Sequence, residues 1–240
     1  MTPAILEFAG VSKNYGGLRP LRIAELRVAA GDSVALLGFD QPTAEIFVNM
    51  ATGATLPDAG EVSVFGRPTK AIGDSTEWLA TVDRFGIVSE RAVLLDALTA
   101  IQNLAMPFTL EIEPPPEEVR IRAEALARDV GLPEASWNQP IATLTPAGSL
   151  RVRFGRAIAL DPSILLLEHA SASLARDEVA GLGGQLREIA ARRGIALVAL
   201  AADEAFARGV AGRVLTLEPA TGRLKPQRRG WFSPGSPKPR

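Results

Sequence analysis

The chain has 240 residues, 47% of them hydrophobic and 22% charged, which suits one globular domain of ordinary size, or such a domain with a small subdomain. Its 26 Lys and Arg against 27 Asp and Glu leave a formal charge of −1, so no overall basic field argues for nucleic acid. The absence of cysteine excludes a disulfide framework and a thiolate metal site, and a single histidine, His169, excludes a multi-histidine metal centre.

The opening MTPAILEFAG lacks the charged start and long apolar stretch of a signal peptide. No apolar run approaches the roughly 20 residues of a membrane helix, so a soluble, cytoplasmic chain is expected. Ile5–Phe8 and Leu21–Val28 flank a Gly16-Gly17 turn and predict antiparallel strands. Ser33–Leu37 (SVALL) lies between Gly31-Asp32 and Gly38 and predicts a buried strand entering a loop, then a helix over about Thr43–Thr52. Further strands are expected at Glu61–Phe65 and Gly86–Val88, and a short helix at Thr99–Leu104 that Pro107 ends.

From Pro114 the run PPPEEVRIRAEALARDVGL opens on proline and acid and closes at a glycine. Val119, Ala123, Leu126, Ala127 and Val130 fall on one face, the pattern of an amphipathic helix. An arginine-rich helix over Gly148–Leu160 precedes Ser163–Leu167 (SILLL), whose unbroken apolar run predicts a central parallel strand. A helix over Asp177–Arg193 and strands at Ile195–Leu200 and Val214–Leu217 complete an α/β chain with a βαβ layered sheet and no internal repeat. Residues 223–240 carry Arg223, Lys225, Arg228, Arg229, Lys238 and Arg240 with no acid and several prolines, which predicts a disordered tail. It reads as a solvated extension or as an arm for anionic lipid or a partner.

Over about residues 5–218 the chain resembles the ATP-binding subunits of ATP-binding cassette (ABC) transporters. VSKNYGG is similar to the entry that carries an adenine-stacking aromatic, here Tyr15. SVALLG leads into the place of the phosphate loop, LPDAGEVSVFGRP follows that loop's helix, and RFGIVSE stands at the glutamine loop. LTPAGSLRVRFGRAIALDPSILLLEHA runs from the signature motif into the Walker B strand. The resemblance implies a P-loop-type ABC ATPase fold over residues 1–222, with an antiparallel β subdomain, a mixed or parallel core sheet flanked by helices, and a helical subdomain at about 91–160.

It also marks where the residues depart from the family. A phosphate loop reads G-x-x-x-x-G-K-S/T, with backbone N–H groups and the lysine on the phosphates and the hydroxyl on Mg²⁺. Here Gly38 opens a stretch with Asp40, Pro42 and Thr43, then Ala44 in the lysine's place and Glu45 in the hydroxyl's. Pro42 lacks an N–H, and Asp40 and Glu45 bring negative charge towards the phosphates. Glu90 stands for the loop glutamine. The signature reads Leu144-Thr145-Pro146-Ala147-Gly148, without its two glycines. Glu168-His169-Ala170 replaces D-E-P, and Ala202 takes the switch histidine's position.

Catalytic residues are thus expected to be absent, with Glu168, His169, Glu90 and Ala202 as degenerate positions. His169 reads either as a general base or as a satisfied polar residue at a strand end. Tyr15 reads either as packing on the sheet or as an adenine platform. No metal is expected, and ATP with Mg²⁺ is disfavoured. The expectation is a pseudo-ATPase subunit, structural or regulatory, at the inner face of the membrane. The partners implied are an ABC permease and an intact ATPase subunit or a second copy. Two alternatives stand beside it: an active ATPase with an atypical site built on Glu168, His169 and Glu90, and a soluble adaptor outside transport.

Overall fold

Where a strand is apolar on both sides it must be covered on both faces, and the chain's central strands are. A computed structural model describes residues 3–227. In chain order the elements are β1 (Ala4–Lys13), β2 (Leu21–Ala29), β3 (Ser33–Leu37), α1 (Gln41–Ala51), β4 (Ala59–Val64) and β5 (Arg67–Pro68). There follow α2 (Ser75–Val82), β6 (Phe85–Val88), α3 (Ala100–Ala105), α4 (Glu117–Asp129), α5 (Pro146–Ile158) and β7 (Ile164–Glu168). Last come α6 (Arg176–Arg192), β8 (Ala196–Ala201), α7 (Glu204–Val210), β9 (Arg213–Glu218) and β10 (Arg223–Pro226).

Two sheets form. The first, β2-β1-β4-β5, is antiparallel; the second runs β10-β9-β3-β8-β7-β6, parallel throughout except where β10 returns against β9. Successive side chains of the core strands point to opposite faces. Val34, Leu36, Ile164, Leu166, Val198 and Leu200 therefore join α1 and the antiparallel sheet in one buried cluster. Ala35, Leu37, Leu165, Leu167, Leu197 and Ala199 join the helical layer in another. On the first side Phe47 of α1 stacks on Phe8 of β1, with ring centroids 4.6 Å apart. On the second, α3 and α5 pack so closely that a Cβ on Gly155 would lie 2.6 Å from Leu104 Cδ2 and would force that buried side chain to shift.

The helical segment expected at about 91–160 is the α3–α5 layer. Arg151 of α5 holds it together, donating to the carbonyl of Val130 and to Gln185 Oε1 of α6, each at 2.5 Å. Burial holds the Arg151 guanidinium below the ordinary arginine pKa. Asp129, at the end of α4, accepts from Arg192 and Arg193 at 3.1 and 2.7 Å.

One boundary is corrected. Arg223–Pro226, expected in a disordered tail, form β10: Leu224 faces Leu217 of β9, and Lys225 pairs with Glu218 at 2.8 Å. The rest of the expected tail, residues 228–240, lies outside the described residues. α1 also begins earlier than expected, at Gln41, because Asp40 caps it.

Candidate functional site

In an open α/β sheet, ligands bind beyond the carboxyl ends of the parallel strands. Register places the ends of β3, β8, β7 and β6 side by side, so Gly38, Ala202, His169 and Ser89 follow at one edge. Gly38 adopts φ +86°, and a Cβ there would lie 3.2 Å from the Leu217 carbonyl, so the turn out of β3 demands glycine.

Only Gly38, Phe39 and Asp40 separate β3 from α1. Phe39 is 3% exposed and packs edge-on against Phe47, pinning this junction to the core. Asp40 is the N-cap: its Oδ1 accepts from the Thr43 amide at 3.0 Å and from Thr43 Oγ1 at 2.6 Å. Those hydrogen bonds, the Thr43 hydroxyl's foremost, hold the Asp40 carboxyl below its ordinary pKa. The first-turn donors that could greet an anion are largely committed. Pro42 has none, the Thr43 amide is on Asp40, and the Ala44 amide donates to the Asp40 carbonyl at 2.9 Å. The Ala44 side chain is fully buried and reaches nothing at the mouth.

Glu168, at the end of β7, is 1% exposed. Its Oε1 accepts from Gln41 Nε2 at 2.5 Å and its Oε2 from Arg91 at 2.6 Å. The same guanidinium reaches Glu45 Oε1 at 2.9 Å, so Arg91 bridges a carboxylate of α1 and one of β7. Glu45, expected to bring negative charge to the phosphate loop, is paired with this arginine, which it shares with Glu168.

Arg91 and Gln41 were not singled out by sequence. Motif spacing marks Glu90, whereas the structure leaves Glu90 exposed in a cleft with Leu144, Pro146 and Arg153, and it is the half-exposed neighbour Arg91 whose guanidinium reaches the buried Glu168. The available signal was the buried Glu168 itself, which requires a cation. Glu168 thus bonds to Gln41 and Arg91 rather than to Glu90. His169 follows β7 with φ 45°, its amide bonded to the Leu200 carbonyl at 2.9 Å, while its Nε2 is buried without a partner in the protein. The His169 amide is thus satisfied, whereas its ring Nε2 makes no hydrogen bond to the described residues.

Tyr15 is half-buried against the cluster containing Phe8 and Phe47. It also borders a cleft of about 170 Å³ with Arg19, Arg22, Gly38, Asp40 and Thr43, below the ~300 Å³ of ordinary ligand pockets. The signature-like residues open α5: Thr145 is its N-cap, accepting from the Gly148 amide at 3.1 Å, with Pro146 in the first turn and Leu144 and Ala147 packed beside the helical layer. Ala202 is exposed after β8. Between β6 and α5 runs a groove of about 370 Å³ lined by Ile87, Ala92, Met106, Pro107, Arg153 and Leu160. Among the described residues no cluster of His, Cys, Asp and Glu suits a metal, and no helix is long and apolar enough to cross a membrane.

This arrangement of two sheets, a capped helix after β3 and a helical layer over the core sheet is the fold of the ATP-binding cassettes. Among solved structures, cbiO1 from Clostridium perfringens, part of the ABC transporter complex cbiONQ, superposes with a TM-score of 0.76 at 19% identity. It covers 92% of this chain and 86% of its own. A dimeric ATP-binding cassette in a post-hydrolysis state bound to ADP and Pi gives 0.74 at 23% identity, over 94% of this chain and all of that one. By sequence, the methionine import ATP-binding protein MetN of Brucella abortus is 27% identical over 214 residues, 89% of this chain and 57% of that protein. The ribose import ATP-binding protein RbsA of Burkholderia mallei is 31% identical over 209 residues, 84% of this chain and 40% of that protein. No family model matches. In sequence the chain is similar to import ATP-binding proteins, and it spans 57% and 40% of the lengths of these two relatives.

Proposed function

We propose that the chain is a pseudo-ATPase subunit of an ABC-type transport complex, keeping the cassette frame for docking without turning over nucleotide. The observation that carries this reading is the committed chemistry at the sheet edge. A magnesium nucleoside triphosphate needs free backbone donors, a cationic side chain on the phosphates and open oxygens on the metal. Here Asp40 and Pro42 remove first-turn donors, Ala44 is buried, and both Glu168 oxygens already accept hydrogen bonds. On this reading the residues present do not fit that group. The unpartnered His169 Nε2 is what favours the alternative of an atypical ATPase, but a base there lacks a held phosphate to serve.

The docking frame is supported by the groove between β6 and α5, whose mixed lining of apolar side chains with Asp83, Arg153 and Arg156 suits a short amphipathic segment of a permease. The names of the relatives support a place in transport: MetN and RbsA are import ATP-binding proteins, and the cbiO1 neighbour is part of a transporter complex. A dimeric neighbour supports a paired arrangement, and the partner proposed is an intact ATPase subunit or a second copy, at the inner face of the membrane. The test is calorimetric titration of the purified chain with ATP, with and without Mg²⁺. The expected result is no binding up to about millimolar ATP; a micromolar Kd, on the order of −8 kcal/mol, would overturn the reading.

A further inference from the structure

We infer that Arg91 is a resident cation that clasps residues 89–99 onto α1 and β7, and that this clasp, in place of any ligand, sets how the helical layer is held on the core sheet. The inference deepens the pseudo-ATPase reading and rests on it in one respect: no bound nucleotide or metal competes for Glu168.

The argument starts from a carboxylate that cannot be left alone. Glu168 is 1% exposed, and a buried charge without a counter-charge is strongly unfavourable. Among the described residues the cation within ion-pairing distance is Arg91, at 2.6 Å. A guanidinium is a planar fork with donors on separate nitrogens, so it can serve two carboxylates at once, as an ammonium on one stem cannot do with fixed geometry. Arg91 uses Nη2 on Glu168 and Nη1 on Glu45, at 2.6 and 2.9 Å.

The clasped segment is also tied to the helical layer. The Arg91 amide donates to Ser89 Oγ at 3.1 Å. Fully buried Asn103 of α3 accepts from the Leu95 amide at 2.9 Å and donates to the Leu95 carbonyl at 3.1 Å. Arg156 of α5 donates to the Val93 carbonyl at 2.8 Å. The Arg91 ion pairs and the bonds from Val93 and Leu95 to α5 and α3 are thus joined through the backbone of residues 91–95, a contiguous path between the sheet edge and the helical layer. Two carboxylates against one guanidinium leave a net charge of −1 at the clasp. Without the arginine, these two carboxylates of α1 and β7 are left without their shared counter-charge, and a divalent cation would be drawn in its stead.

Cation rescue separates this from a merely structural role. Hydrogen exchange is followed in the full chain for residues 89–99 and α3, with Mn²⁺ as the probe and its binding read by electron paramagnetic resonance. The native chain should be protected without any ligand, with no Mn²⁺ bound at this site. Arg91→Ala should exchange about ten-fold faster there, and Mn²⁺ should bind and restore protection. Arg91→Ala/Glu45→Gln should exchange fast and stay fast. Native-like exchange in Arg91→Ala, or fast exchange that Mn²⁺ leaves unaltered, overturns the clasp. Should Arg91→Ala fail to fold, Glu45→Gln answers instead: a several-fold rise in exchange over 89–99 with α1 unchanged supports the clasp, and no rise overturns it. ATP binding by the native chain would sink the pseudo-ATPase reading while leaving the exchange results to decide the clasp.

Discussion

The two sides of the core sheet and its carboxyl edge are held by different physics. The faces bury Leu36, Leu166 and Val198 on one side and Leu165, Leu167 and Leu197 on the other, and gain from every apolar surface removed from water. The edge gains little from burial and is fixed by polar groups that satisfy one another: Asp40 with Thr43, Glu168 with Gln41 and Arg91, Arg91 with Glu45. A face tolerates the loss of one contact as a smaller core. An edge built this way fails as a unit, because each group removed leaves another unpartnered.

That contrast can be broken most forcefully from the face. Phe47→Ala, at a fully buried ring stacked on Phe8, should cost about 3–5 kcal/mol in chemical denaturation and loosen the β3–α1 junction that Phe39 pins to it, while leaving exchange over residues 89–99 unchanged. Arg91→Ala should cost about 3 kcal/mol, the lower end for breaking a buried pair since the arginine is half exposed. Its cost should fall in Arg91→Ala/Glu168→Gln, because the stranded charge goes with it; additive costs in that double variant would contradict the unit behaviour of the edge.

The smallest effect belongs to Asp40→Ala, about 1 kcal/mol for a lost N-cap. It carries a pH signature whose sign is fixed. The folded-state pKa of Asp40 lies below the ordinary 3.8, so its contribution is present above that value and is lost as pH falls through the folded pKa. The melting temperatures of native chain and variant should differ at pH 7 and converge on acidification below about 3.8, and a gap that persists would rule the cap out as its cause.

How far the sequence reaches follows the same division. β3, β7 and β8 are legible because two covered faces force an unbroken apolar run, and α4 because one covered face forces a stripe. α2 is illegible for the converse reason: none of its residues is buried, so there is no stripe to read. α7 spans only seven residues, and β10 carries Arg223, Lys225 and Pro226, which look like a solvated tail until β9 is beside them. At the edge, chain-local features such as Asp40, Pro42 and the Glu168 position are visible in the sequence. The Arg91–Glu168 pair spans 77 residues and exists only because β6 and β7 are neighbours in register. Spacing along the chain points to Glu90, and the fold selects Arg91.

Phe39 gives the β3–α1 junction one more property. With its ring 3% exposed against Phe47, any rearrangement that opened the junction to wrap an anion would draw that ring into water, at about 2–3 kcal/mol. An opened junction is then a minor population of roughly one molecule in 30 to 150, and an anion that needs it meets an apparent affinity weakened by the same factor before it makes a single contact.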